Sequence, residues 1–273
     1  VRKTLSAGVA VGAVAALAAF SPAFAISDTT ADLSVLHGIP DTPVDVYVNG
    51  ELTLDDFQPG DLAGPLDLPA GDYEVALTAT DAEDDSDPVL GPITITLEAN
   101  TSYTATANLD ADGQPTVNLF TNDISSTDAG DGRLTVRHVA AAPAVDVLAG
   151  DEAVITGLTN PNEETLDLPA GVVPASVALE GTTDPVIGPA DVDVQEGVLT
   201  IVYAWGSAED GNLALAVQTI DGLHSGPDGV NTGEAGLVAE NGVSGWVLAL
   251  GAGLVAALVT TSVISVRAAN ARR

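Results

Sequence analysis

The 273-residue chain contains no cysteine and no methionine, and aromatic residues make up only 4% of it. Without cysteine, no disulfide can hold the chain and no thiol chemistry is available, even in an oxidising compartment. Stability must come from burial of apolar surface, and modules of about 100 residues suffice for that. Positive charge is almost as scarce. The basic residues are Arg2, Lys3, Arg133, Arg137, Arg267, Arg272 and Arg273, against 39 acidic residues that all lie between Asp28 and Glu240. Only Arg133 and Arg137 fall in that stretch, which leaves it at −37. A surface of this sign repels nucleic acid and anionic headgroups, so a nucleic-acid partner is excluded. Near-absence of lysine, with Asp in excess over Glu, resembles adaptation to high salt. Gly-x-Ser-x-Gly, His-Glu-x-x-His and Walker patterns are also missing, so a non-enzymatic protein is expected. The enzymatic alternative is an uncharacterised hydrolase.

Apolar runs occupy the two ends. Arg2 and Lys3 precede an uncharged stretch from Thr4 to Phe20, followed by Ala23-Phe-Ala25. This predicts a signal peptide over residues 1–25, cleaved after Ala25. Residues 243–266 carry no charge and are long enough to span a bilayer. Trp246 lies near the outer end, and the basic tail 267–273 follows. Arginine-rich flanks stay in the cytoplasm, so the preceding segment faces out. Residues 222–242 hold six glycines and read as a stalk. The expected location is the cell membrane, with a single pass and the ectodomain outside. Gly229-Val-Asn-Thr-Gly233 resembles the end of a sortase site, which makes covalent wall attachment the alternative.

Between the ends lies an internal repeat. Leu33-Ser-Val-Leu-His37 matches Leu134-Thr-Val-Arg-His138, and Val44-Asp-Val46 matches Val145-Asp-Val147, both at an offset of 101. Leu66-Asp-Leu-Pro-Ala-Gly71 recurs at an offset of 100, and Asp87-Pro-Val-Leu-Gly-Pro92 at 97. The boundaries expected are a first repeat at 26–122, a linker at 123–131 and a second repeat at 132–221. The change of offset places extra length in the first copy near Thr80 to Asp87, which marks a loop tip.

Local pattern in both copies is β. Tyr73 to Thr80, Ile93 to Leu97, Tyr103 to Ala107 and Val192 to Gln195 alternate with period two. Asn49-Gly50 predicts a two-residue hairpin, while Pro69-Ala-Gly71 and Gly91-Pro92 predict turns. About seven short strands per copy predict an all-β chain: two tandem immunoglobulin-like antiparallel β-sandwiches, plus one C-terminal transmembrane helix.

The stretch from His37-Gly-Ile-Pro-Asp-Thr-Pro through Val44-Asp-Val-Tyr-Val-Asn-Gly50, with Leu68-Pro-Ala-Gly-Asp-Tyr73, resembles the family named domain of unknown function 4397. The second copy keeps His138, Pro143, Val145-Asp-Val147 and Leu168-Pro-Ala-Gly171. It departs at Leu148-Ala-Gly150 and at Val173, which replaces the tyrosine. The resemblance implies tandem extracellular β-sandwiches in bacterial secreted or surface proteins, and it transfers no catalytic residue.

Three groups of residues could carry chemistry. His37 and His138 each stand eight residues before an aspartate, Asp45 or Asp146. That spacing admits an oriented imidazole, or a ring that satisfies the backbone of a turn at a strand end. Asn108, Asp110 and Asp112, with Gly113, resemble the first half of a calcium loop. Leu119 stands where a bidentate Glu would be needed, which favours a plain Asp-Gly turn. Asp81, Glu83, Asp84, Asp85 and Asp87 form an acidic run, read as a solvated loop or a low-affinity Ca²⁺ site. No cofactor is expected otherwise. The partners expected are the membrane, through the C-terminal helix, and a cell-wall or extracellular ligand. The function expected is structural or adhesive, and the alternative is a binding module for a glycan, peptide or divalent cation.

Overall fold

A computed structural model describes residues 26–224. The expected signal peptide, most of the expected stalk, the expected transmembrane segment and the basic tail lie outside the described residues. No helix among the described residues is long and apolar enough to cross a membrane.

The fold is all-β. The first repeat forms β1 (Thr30–Gly38), β2 (Val44–Val48), β3 (Glu51–Phe57), β4 (Leu62–Pro69), β5 (Gly71–Ala79), β6 (Leu90–Leu97), β7 (Ser102–Leu109) and β8 (Pro115–Thr121). The second forms β9 (Asp131–Ala141), β10 (Val145–Ala149), β11 (Glu152–Leu158), β12 (Glu163–Pro169), β13 (Gly171–Leu179), β14 (Pro185–Val194), β15 (Val198–Ser207) and β16 (Ala214–Asp221). Each module is therefore a two-sheet sandwich of eight strands, one more than the sequence suggests.

Strand order is the same in both copies: β4-β1-β7-β8 over β3-β2-β5-β6, and β12-β9-β15-β16 over β11-β10-β13-β14. This departs from the immunoglobulin order, which puts the first, second, fifth and fourth strands in one sheet. The sheets are not purely antiparallel either. β1 runs parallel to β7 with Leu33 opposite Tyr103, and β9 runs parallel to β15 with Leu134 opposite Thr200. Parallel neighbours need a long crossover, and here the whole opposite sheet supplies it. A period-two pattern reports which residues face inward. It carries no information on strand direction, so the pairing could not be read from it.

The hairpin at Asn49-Gly50 forms, with φ of 52° and 78° at its two residues, both left-handed as a type I′ turn requires. Gly91-Pro92, by contrast, is not a turn. It lies inside β6 at a break in register between Val75 and Leu77, and Gly188-Pro189 does the same in β14. Both are bulges on edge strands, where a proline's missing N–H leaves no ladder bond unmade. Asp87-Pro88 and its acidic neighbours fall in the loop between Ala79 and Leu90. The corresponding loop in the second copy lies between Leu179 and Pro185 and is shorter.

Alternation predicts that Tyr103 to Ala107 is half-buried, yet every residue of β7 is buried. Tyr103, Ala105, Ala107 and Leu109 face the core of the first sandwich. The other face carries Ser102, Thr104, Thr106 and Asn108, and it is covered by the second module. Leu36 and Phe120 pack with Val139, Leu199, Ile201 and Tyr203 in one apolar cluster. Trp205 stands so close to Gly60 that a Cβ there would lie 2.9 Å from the indole. Polar side chains of both modules pair here, although Trp205 Nε1 is buried without a partner among the described residues. Gln218 Nε2 donates to Ser34 Oγ at 3.0 Å, while its Oε1 accepts from Thr104 Oγ1 at 3.0 Å and from Tyr203 Oη at 2.6 Å. Arg137, only 1% exposed, donates to Tyr203 Oη at 2.9 Å, Asn122 Oδ1 at 3.0 Å and Glu163 Oε2 at 2.6 Å.

The other cation of the segment secures the connection between modules. Arg133 makes two bonds to the Asp167 carboxylate, at 2.8 and 3.0 Å, and donates to the carbonyls of Asp123 and Ser125. Thr127 N–H donates to Leu223 O at 2.8 Å. Both arginines between Asp28 and Glu240 are thus spent on the junction and the connection leading to it.

Candidate functional site

His37 and His138 sit near the ends of β1 and β9, fully buried. Each turns its ring onto the loop that follows its strand. His37 Nε2 lies 2.7 Å from Thr42 O, and His138 Nε2 lies 3.1 Å from Pro143 O. A carbonyl can only accept, so Nε2 carries the proton in both rings and Nδ1 is a bare lone pair. Burial holds both imidazoles below the usual histidine range. For His37, the Thr42 bond and the charge of Asp61 oppose that shift. The copies differ at Nδ1. In His138 it accepts from Ala140 N–H at 3.4 Å. In His37 it is buried with no partner among the described residues.

The aspartates eight residues on do not touch these rings. Asp45 Oδ1 accepts from Asp56 N–H at 2.8 Å, and Asp146 Oδ1 accepts from Gly157 N–H at 2.8 Å. Asp56 and Gly157 occupy matching places, with φ of 52° and 66°. The Val-Asp-Val repeat therefore puts a buried carboxylate under a left-handed bend in the next strand. In the second copy, Asp146 Oδ2 also takes Gly181 N–H at 2.8 Å.

The calcium-loop residues separate. Asn108 points into the module junction, where it accepts from Thr106 Oγ1 at 2.8 Å and from Asn118 Nδ2 at 2.9 Å. Asp110 Oδ1 accepts from the N–H groups of Asp112 and Gln114, which closes the β7–β8 hairpin turn. Asn108 therefore does not converge with Asp110 and Asp112. The acidic run Asp81, Glu83, Asp84, Asp85 and Asp87 is a surface loop in which Asp84 accepts from Ser86 N–H at 3.0 Å. Its tip leans on the β2–β3 hairpin, with Asp85 Oδ2 3.7 Å from where a Cβ on Gly50 would stand.

Sequence spacing missed one grouping there. Asp45, Asp55 and Asp56 bring one oxygen each within 4.8 Å of one another. They lie on two strands of a hairpin, so their convergence depends on register. Burial first, then the carboxylates of Asp45, Asp85, Asp84 and Asp55, pushes the neighbouring Tyr47 phenol up.

A second feature had no local signature at all. The core of the first sandwich encloses a cavity of about 280 Å³. Its walls are mostly aliphatic, from Leu33, Val35, Val46, Leu77, Ile95 and Ala105, with His37 and Phe57 stacked at 5.7 Å in the same lining. Asn49, Glu51 and Thr53 are exposed and mark its mouth on β3 and the hairpin before it. Inside this sandwich, apart from the junction cluster, the buried apolar residues form two clusters, whereas those inside the second form one continuous core.

No curated protein matches the chain. Among solved structures, the Bacillus anthracis TIE protein is 13% identical, with a TM-score of 0.19; the match covers 72% of this chain and 32% of that one. The chain thus spans about a third of that protein's length. A family model matches residues 31–148, which hold the first sandwich, the connection and the first two strands of the second. That model is of the family described as domain of unknown function, DUF4397, and the stretch it matches includes the residues that carry the His-turn-Val-Asp-Val pattern.

Proposed function

We propose that this is a non-enzymatic surface protein of the bacterial envelope. It is anchored by its C-terminal segment and presents its two β-sandwiches as one joined body in a structural or adhesive role. The observation that carries this reading is the junction around Arg137. Tandem modules that only needed to be strung together would keep charged outer faces and a loose connection. Here the fully buried Arg137 ties β9 to Asn122, Tyr203 and Glu163, and apolar side chains from both copies close around it. A partner that pulled on one module would load the other through this contact. Commitment of the His37 and His138 rings to turn carbonyls supports a non-catalytic role for these two residues.

Protease added to intact cells tests the location. Loss of the described segment with the cytoplasm intact is expected, and full protection would overturn the external assignment. A pull-down of envelope glycans and wall fragments with the full chain tests the adhesive role, with retention expected for the wild type. Failure to retain any wall component would leave no basis for adhesion.

A further inference from the structure

We propose that the first module binds a neutral, largely hydrocarbon alcohol of roughly ten to twelve non-hydrogen atoms inside its sandwich, with the ligand hydroxyl donating to Nδ1 of His37.

Size follows from the cavity. An apolar void of about 150 Å³ accepts benzene and stays dry otherwise. The void here is about 280 Å³, room for roughly twice that many atoms. Its walls supply burial for a hydrocarbon body.

The polar end follows from the imidazole. Nε2 must carry the proton because it faces the Thr42 carbonyl, so Nδ1 can only accept. It is buried, it lacks a partner among the described residues, and its ring lines the cavity. A buried acceptor left without a donor is costly. A hydroxyl on the ligand supplies that donor, whereas a carboxylate would set an anion against a lone pair. Glu51 at the mouth and the −37 charge of the surrounding segment also repel anions.

The second module shows what removes such a site. Val35 faces Ala105 across β1 and β7, where the second module pairs Val136 with Val202. Ala107 faces Val117, where the second module pairs Ala204 with Leu215. Larger side chains thus stand at two lining positions, the core there is continuous, and His138 Nδ1 has an N–H partner.

Calorimetric titration of the full chain with 2-naphthol and with naphthalene tests the proposal. The Ala105→Val and Val117→Leu variants serve as references, so that partitioning into apolar segments cancels. Saturable binding is expected, about fivefold tighter for 2-naphthol. Affinity should fall at least tenfold in either variant, with the unfolding midpoint unchanged or raised. If Ala105→Val does not fold, Val117→Leu decides the same point. Absence of saturable binding, or binding unchanged in a folded filled variant, would overturn the site. Equal affinity for the two probes, or equal affinity for 1-naphthoate, would overturn the role of His37 and the choice of an alcohol.

Discussion

The Arg137 guanidinium of the second module lies 4.4 Å from the centroid of the Phe120 ring of the first. The cation, the aromatic ring and the neighbours Asn122 and Tyr203 are shielded from water at this point. That contact joins the copies, and it sets the first expectation.

Arg137→Ala removes the charge but leaves Asn122, Tyr203 and the half-exposed Glu163 without their donor. A loss of about 3 kcal/mol is expected, large against the total for a protein of this size. The modules should also separate in denaturation, giving two transitions in place of one. A single transition at the wild-type midpoint would show that the junction does not couple them.

Two glycines of the second module make a contrast. Gly188 has φ of 90°, and a Cβ there would lie 2.9 Å from Ala175 O. Gly171 has open space around the same position. Gly188→Ala should lose about 2 kcal/mol by chemical denaturation, while Gly171→Ala should stay within about 0.5 kcal/mol of wild type. Equal effects would mean that the bulge at Gly188-Pro189 is not fixed as described.

Burial lowers both His37 and His138 from the ordinary value of 6.5. The unfolded chain therefore binds protons that the folded chain refuses as pH falls through about 6.5. This contribution to stability is complete above that pH and declines below it. His138→Gln keeps an N–H for Pro143 O and removes one titrating ring. Its denaturation midpoint should vary less steeply than wild type between about pH 5 and 7. Identical slopes for the two proteins would contradict a neutral buried ring.

Asp45, Asp55 and Asp56 and the loop 81–87 place many carboxylates on one side of the first module. Under the function proposed above, Ca²⁺ should raise the melting temperature no more than a monovalent salt at equal ionic strength, since both only screen repulsion. A saturable, Ca²⁺-specific rise that disappears with Asp84→Ala and Asp85→Ala together would favour the cation-binding alternative.

Much was legible from the residues alone. The repeat, its eight-residue His-Asp spacing, the Asn49-Gly50 hairpin and the loop before Pro88 all depend on neighbours in the chain, and local pattern reports neighbours. The sandwich follows from period-two alternation combined with the absence of helical periodicity. Gly91-Pro92 shows the limit. The dipeptide signals a departure from regular strand, but whether that departure is a turn or a bulge depends on what lies across the sheet.

Composition by itself determined that burial without disulfides must hold this protein, and that its surface would be strongly acidic. It also isolated Arg133 and Arg137 as two cations among 39 acids. Only the tertiary structure decided where those cations go. A side chain 66 residues away, Tyr203, and another 15 away, Asn122, meet Arg137 because β9 and β15 lie side by side against the end of β8. The cavity was decided the same way. Alanine at 105 looks unremarkable in a strand, and it opens a void only because His37, Phe57 and the facing sheet stop short of filling the space that Val202 occupies in the other copy. Volume and charge pairing are properties of packed surfaces, so neither exists until strands distant in sequence are brought together.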